Sequence, residues 1–276
     1  MLSDIIIKLS ETGQKIIVYP TQAPKDATRR IKEIDNTYTG IICSGGDGTL
    51  DEVVKGMMEA GIKLPLGYIP SGTVNDFAST IGISSNTNEA INSAVNGKDF
   101  KIDIGKFNND YFTYVAAFGA FTSVPYTTDQ ETKNYIGKMA YFAECMRQLN
   151  GIESCKATII GDNVEVTGDY ILGLITNSSS IGGIKTSVLK DTELNDGLFE
   201  VTLVRNPASL TDIGDSLLPL IGNDFSDSKG LLYHFKTSTL KIKFEAEVSW
   251  TLDGEDGGKH SEVSIYNIPE ALTIKI

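Results

Sequence analysis

The chain has 276 residues, 41% of them hydrophobic, with a mean hydropathy of −0.07; that is ordinary for a soluble globular protein and long enough for two domains. Its 24 Lys and Arg face 36 Asp and Glu, and the net charge of −12 argues against nucleic-acid binding, which needs basic surface to neutralise phosphates. The same charge disfavours tight docking on anionic lipid by electrostatics alone. No apolar stretch approaches the ~20 residues that span a bilayer, and no basic n-region precedes the apolar residues 5–9. Cys43, Cys145 and Cys155 lack metal-ligand spacing and read as reduced thiols, so a cytoplasmic location is expected.

In chain order, Leu2, Ile5, Ile6 and Leu9 have helical spacing, with Gly13 as a stop. Residues 15–19 read as a short buried strand, followed by helical positions around Ala27, Ile31 and Ile34. Residues 40–43 are the next strand and run into a glycine loop. After it, Leu50, Val53, Val54, Met57 and Met58 recur at i, i+3, i+4, i+7 and i+8, a stripe of core packing. Residues 66–69 form a third strand. Strands alternating with helices of this length predict a doubly wound parallel sheet.

The pattern changes near Lys101. Residues 101–107 and 111–118 flank the turn Asn108-Asn109-Asp110, and a helix is predicted over 135–149. Further strands are expected at 155–160, 164–166, 170–176, 198–204, 239–244 and 247–252, with Trp250 packed among them. Many short strands at close spacing predict an antiparallel β-sandwich. The fold class read from the chain is therefore α/β, a doubly wound domain over residues 1–103 joined to a β-sandwich over 104–269. Residues 270–276 form a last strand that returns to the first domain.

Two loops carry the chemistry. Gly45, Gly46, Asp47, Gly48, Thr49 and Leu50 sit between a buried strand and an amphipathic helix, where glycines let backbone approach a phosphate and helix amides point at it. Asp47 is acceptor-only, so it must meet a metal ion or fix the loop through amide bonds. The bland alternative is a glycine-rich strand-to-helix turn. The loop lacks the Gly-Lys-Ser/Thr of a Walker A motif and is not a Rossmann fingerprint. The second loop, Pro70-Ser71-Gly72-Thr73-Val74-Asn75-Asp76-Phe77, also joins a strand end to a helix start; alone it could be a capped helix. Both fall at carboxyl ends of candidate parallel strands, where α/β sheets place ligands.

The GGDGT loop, the later P-x-G-T-x-N-D-F element and the Asp253-Gly254-Glu255 segment together resemble the diacylglycerol kinase catalytic family, which includes sphingosine and ceramide kinases and bacterial lipid kinases. The segments Lys101-Ile102-Asp103-Ile104-Gly105 and Leu194-Asn195-Asp196-Gly197-Leu198-Phe199 match family segments too. The resemblance implies an ATP-dependent lipid kinase that phosphorylates diacylglycerol, working with Mg²⁺ and associating peripherally with a membrane surface. It admits a homodimer. Residue by residue, it implies that Thr21, Gly45, Gly46, Asp47, Gly48, Thr49, Leu50, Asp51 and Thr73 hold ATP. Asp47 acts through Mg²⁺, with Asp76 and Asp103 supporting that polar network. Glu255 matches the family's proton acceptor, which suits phosphoryl transfer, where a carboxylate takes the attacking hydroxyl's proton. Without the resemblance, the Glu255 segment reads as an acidic hairpin turn. Glu193, Asp196 and Leu198 match a structural Mg²⁺ site in bacterial enzymes, Asp196 by its carboxylate and the others largely by backbone oxygens; Asp-Gly before a strand is otherwise a plain turn.

Two features depart from the family. Members open with a strand ending in Asn-Pro-x-Ser/Ala-Gly, whereas this chain begins in the helix that follows, about twenty residues later: through a misassigned start, through truncation, or because the protein lacks that central strand, whose loss would expose sheet edges and remove an ATP contact. Asp51 stands where the family usually has Asn, which removes a donor and adds charge beside the phosphates. The competing readings are an NAD-kinase-like or phosphofructokinase-like enzyme, and a degenerate nucleotide- or lipid-binding protein. His234 and His260 carry no motif.

Overall fold

A computed structural model describes residues 1–119, 154–178, 193–206 and 232–276, with the backbone of two further short strands. The chain forms two compact units. The first comprises Met1–Tyr114, Glu193–Gly197 and Ile268–Ile276; the second comprises Val115–Thr192 and Leu198–Asn267.

In the first unit, α1 (Leu2–Ser10) buries Ile5, and α2 (Asp26–Lys32) buries Ala27 and Ile31. The first amides of α2 are held by Glu52, whose carboxylate accepts from Lys25 N at 2.7 Å and Ala27 N at 3.1 Å. Strand β1 (Ile41–Gly45) leads into α3 (Asp47–Ala60), whose stripe Leu50, Val53, Val54 and Met57 is buried as its spacing predicts, while Met58 at its edge is half-buried. Strand β2 (Leu66–Pro70) pairs in parallel with β1, from Ile41 opposite Leu66 to Gly45 opposite Pro70. Helices α4 (Asp76–Ile81) and α5 (Thr87–Asn96) follow, the latter capped by Asn86 Oδ1 accepting from Asn88 N and Glu89 N. Strands β3 (Asp99–Phe107) and β4 (Asp110–Phe112) make an antiparallel hairpin.

The second unit is antiparallel and β-rich. It contains β5 (Val115–Gly119), β6 (Cys155–Ile160), β7 (Glu165–Thr176), β8 (Ser180–Ile181), β9 (Ile184–Lys185), β10 (Phe199–Arg205), β11 (Leu232–Thr237), β12 (Thr239–Leu252) and most of β13 (Glu255–Lys275). Strands β5 and β6 share one slot in the sheet, because each pairs with a different stretch of both β7 and β12. Leu240, Ile242 and Phe244 are buried along β12 while Lys241 and Lys243 face out, the period-two pattern of a half-buried strand. Phe118, Phe244 and Trp250 form an aromatic cluster, with centroids 4.9 Å apart for Phe118–Trp250 and 5.1 Å for Phe118–Phe244. At the end of β13, Ile274 and Lys275 pair in parallel with Leu66 and Gly67 of β2 in the first unit.

Three expectations differ from what is seen. Residues 15–19 carry no strand pairing, and Ile17 and Val18 are 50% and 48% exposed rather than buried. An apolar run reports on side chains, and a strand also needs a backbone partner, which the run does not encode. The stretches 239–244 and 247–252 are one strand, β12, with a register shift between Lys243 and Val248 that absorbs the polar break. Likewise 164–166 and 170–176 are continuous as β7. The helix expected over 135–149 and Cys145 lie outside the described residues.

The β6–β7 turn is anchored by Asp162, whose carboxylate accepts from Ser238 N at 2.6 Å, Ser238 Oγ at 2.8 Å and Thr239 Oγ1 at 2.7 Å. These donors, the Ser238 amide first, hold the Asp162 pKa down at about 2 against an ordinary 3.8. A lowered folded-state pKa gives stability that is complete above pH 4 and fades as pH falls towards 2. The urea midpoint of Asp162→Ala is therefore expected below wild type at pH 6, with the gap closing as pH falls from about 4 to 2. A gap independent of pH would contradict this account of the turn.

Candidate active site

The parallel register of β1 and β2 brings the two glycine loops side by side. Gly45 is opposite Pro70, and Ser71 N donates to Gly45 O at 2.8 Å. Gly46 and Gly72 then meet backbone to backbone: a methyl placed on Gly72 would stand 2.6 Å from Gly46 Cα, so Gly72 has no room for a side chain, and one placed on Gly46 would stand a tight 3.2 Å from Gly72 Cα. Tyr68 donates its hydroxyl to Gly45 O at 3.3 Å; burial first, and the Asp47 carboxylate second, push its phenol pKa up and keep it a donor.

Asp47 opens α3, and its carboxylate reaches across to the start of α4. Oδ2 accepts from Asp76 N at 3.1 Å and Oδ1 from Phe77 N at 3.4 Å. One of the two roles open to an acceptor-only residue is thus filled, since Asp47 ties the first motif to the second. Asn75 completes the second loop. It sits in the left-handed region at φ 54°, which Asn tolerates, with Oδ1 accepting from Gly72 N and Nδ2 donating to Gly72 O, both at 2.9 Å. Gly48 and Thr73 are exposed, Gly45, Gly46, Asp47 and Thr49 are half-buried, and Leu50 is buried in the core. The result is an open backbone shelf at the N-terminal end of a fourteen-residue helix, suited to an anionic group.

The remaining candidates of this unit are Asp76, Asp51, Thr21 and Asp103, with the loop that Asp103 holds. Asp76 is 5% exposed. Asp51 is also 5% exposed and lies one turn into α3, where Lys55 Nζ stands 3.3 Å from its Oδ2. Burial works to lower the Lys55 pKa, but Asp51 and Asp110 outweigh it and hold the ammonium above its ordinary value. Thr21 is exposed in the turn before α2, next to Gln22, whose amide donates to Asp26. Asp103, fully buried on β3, clamps two distant segments: Oδ2 accepts from Gly197 N and Oδ1 from Glu270 N, both at 2.7 Å, while Asp103 N donates to Leu194 O. It thereby shapes the loop that carries Glu193, which is exposed, and Asp196, which is half-buried; Leu198 follows at the start of the second unit, half-buried. Among the described residues, no three His, Cys, Asp or Glu side chains gather closely enough to hold a metal by themselves.

In the second unit, Asp253 and Gly254 form the two-residue turn between β12 and β13, with Leu252 opposite Glu255. Both turn residues have positive φ, 51° and 88°, as a type I′ hairpin requires. Asp253 is 6% exposed and exchanges two bonds with Val115, its amide donating to Val115 O at 2.8 Å and its Oδ1 accepting from Val115 N at 2.9 Å. Glu255, the first residue of β13, is left exposed and directed by that fixed turn. The hairpin reading and the proton-acceptor reading of this segment are compatible. Asp253→Ala is expected to cost about 1–3 kcal/mol by leaving Val115 N buried without its acceptor, whereas Asp253→Asn keeps an acceptor and tolerates the positive φ. Thermal midpoints of the two variants check this; equal losses would show that the charge, not the bond, matters.

The sequence reading missed Glu52, Lys55, Tyr68, Asn75 and Asp253 as supports of the site. Asp253, as the first residue of an Asp-Gly hairpin turn, Lys55, four residues after Asp51 on one helix, and Asn75, three residues after Gly72, had local signals. Glu52 and Tyr68 act on groups that the fold brings from elsewhere.

Residues 1–107 match the model of the diacylglycerol kinase catalytic domain. The chain is 32% identical over 260 residues to a diacylglycerol kinase of Staphylococcus epidermidis, covering 94% of this chain and 81% of that protein. It is 33% identical over 259 residues to a diacylglycerol kinase of Staphylococcus haemolyticus, covering 94% and 78%. A crystal structure of a protein from Bacillus anthracis str. Sterne superposes with a TM-score of 0.84 at 25% identity, over 99% of this chain and 90% of the other. A crystal structure of a diacylglycerol kinase from the same strain, 22% identical, gives a TM-score of 0.77 and shows the shared fold. The family model and these relatives define a kinase. The chain belongs to the diacylglycerol kinase catalytic domain family, and as such uses ATP.

Proposed function

We propose that the protein transfers the γ-phosphate of ATP to the hydroxyl of diacylglycerol, giving phosphatidic acid. The observation that carries this reading is the contact of Gly46 with Gly72, braced by Asp47 on the amides of Asp76 and Phe77. It joins both family motifs into one shelf that backbone amides and a helix N-terminus make hospitable to phosphate. The names of the staphylococcal relatives support diacylglycerol as acceptor.

In this reading the shelf of Gly45, Gly46, Gly48 and Thr49 holds the triphosphate, with Thr21, Leu50, Asp51 and Thr73 at its margins. Glu255 takes the proton of the lipid hydroxyl. That oxygen attacks the γ-phosphorus, the bond from phosphorus to the β–γ bridging oxygen breaks, and ADP leaves with that electron pair. The Asp47 and Asp76 carboxylates, on the first residues of α3 and α4, are hard oxygens. They fit Mg²⁺, which binds through one or two carboxylates, substrate phosphates and water. When bound, Mg²⁺ neutralises charge on the phosphate oxygens, which an acidic protein cannot do alone. The Asp196 carboxylate with oxygens of Glu193 and Leu198 offers the same class of donor, and we assign a structural Mg²⁺ there.

Among the described residues no helix is long and apolar enough to cross a membrane. The lipid acceptor nevertheless places the reaction at a membrane surface, with the protein bound peripherally on the cytoplasmic side. The test is ³²P transfer from ATP·Mg²⁺ into a panel of lipid hydroxyls in mixed micelles. Labelled phosphatidic acid as the main product is the expected result. Preferred labelling of ceramide, monoacylglycerol or phosphatidylglycerol would reassign the acceptor, and no labelling by folded protein would overturn the reading.

A further inference from the structure

Asp47, Asp51 and Lys55 recur every four residues along α3, so they lie in one row with about 6 Å of helix rise from each to the next. The first carboxylate faces the shelf described above. The second is one turn away, 5% exposed, and too close for solvent to screen it fully from a triphosphate on that shelf. Left alone, it would repel the ligand. Lys55 closes the row with its Nζ 3.3 Å from Asp51 Oδ2, and the order acid then base four residues on is the favourable one along a helix. The same ammonium lies 3.4 Å from Asp110 Oδ1 on β4. The Lys55 side chain is only 18% exposed, and the Asp51 side chain 7%, whereas Asp110 is 46% exposed and better screened by water.

We infer that Lys55 is a positioning residue for the nucleotide: by pairing with Asp51 it cancels the second carboxylate of the row, so that, of the two, only Asp47 presents its charge to the triphosphate. The inference rests on the nucleotide-binding reading of the shelf and adds a residue that neither glycine motif contains. It also gives a physical account of how a carboxylate is tolerated at position 51, beside the phosphates, in an acidic chain. The charge is matched within the same helix, one turn further from the ligand. Asp110 holds the far side of the ammonium, so Lys55 links α3 to the β3–β4 hairpin as well, and the experiment must separate the two partners.

The experiment is isothermal titration of a non-hydrolysable ATP analogue with Mg²⁺ into wild type, Lys55→Met, Lys55→Arg, Asp51→Asn, Asp110→Asn and the double variant Asp51→Asn/Lys55→Met, each with a thermal melt. Lys55→Met is expected to weaken binding about tenfold at low salt, and that defect should shrink as ionic strength rises. Lys55→Arg keeps the charge and should restore most of the affinity. The double variant should bind within about twofold of Asp51→Asn, because without the carboxylate there is nothing for Lys55 to cancel, and Asp110→Asn should stay within about twofold of wild type. Wild-type affinity in Lys55→Met, or an equal loss in the double variant, overturns the inference. So does a loss in Asp110→Asn that matches Lys55→Met, which would make Lys55 a brace for the hairpin. Wild type that binds no nucleotide overturns the nucleotide reading itself, and this inference with it.

Discussion

Glu255→Gln is expected to lower lipid phosphorylation by about 10²–10⁴-fold, the usual worth of a positioned general base, while nucleotide affinity and the thermal midpoint stay at wild-type values. The separation follows from where the residue sits. Glu255 is exposed on the first position of β13, whereas the buried member of its turn is Asp253, which holds Val115. Glutamine preserves the shape and the strand pairing with Leu252 but cannot take a proton. The check is kcat for ³²P transfer to diacylglycerol beside a titration with Mg²⁺-nucleotide and a thermal melt. A variant keeping more than about a tenth of wild-type kcat would remove Glu255 from the role of base. A variant that loses activity together with its fold would leave the hairpin as the only supported function of the segment.

Asp47 is expected to show the second large effect, and two variants divide its structural part from its electrostatic part. Asp47→Ala removes the acceptors of Asp76 N and Phe77 N, which start α4, and should cost about 0.5–2 kcal/mol, as the loss of a helix cap does. Asp47→Asn keeps an acceptor for those amides but carries no charge, and Asn caps helices about as well as Asp. Both variants are expected to lose about 10²–10³-fold in kcat, the scale of removing one preorganised electrostatic partner from a reaction centre, while only Asp47→Ala also melts earlier. Retention of activity by Asp47→Asn would show that the residue is a clamp between two loops and nothing more. Raising Mg²⁺ in the assay adds a further readout, since only a lost electrostatic role can be partly offset by the cation.

Much of the first unit was legible in the chain because its signals are local. The spacing of Leu50, Val53, Val54 and Met57 records which face of α3 meets the core. Gly45, Gly46 and Gly72 record where backbone must come close to something else. The alternation in β12 was legible too, although its break near residues 244–247 suggested two strands where a register shift keeps one. Residues 15–19 misled for the opposite reason: Ile17, Val18 and Tyr19 look like a buried strand by composition but stay exposed and unpaired in a ladder. Apolar composition is a statement about side chains, and strand formation is a statement about pairs of backbones.

What the chain determined by itself, then, is the order of helices and strands around the two glycine loops, the buried stripe of α3 and the Asp-Gly turn before Glu255. Each depends on residues within a few positions of one another, through side-chain period, glycine content and turn chemistry. Only the tertiary structure decided what the acidic residues do. Asp47 holds amides 29 and 30 residues away, Asp253 holds one 138 residues away, and Asp103 joins Gly197 and Glu270, 94 and 167 residues distant. A carboxylate accepts from whichever amides the fold delivers. Sequence names the acceptor, and the packing of strands that are neighbours only in space selects the donor.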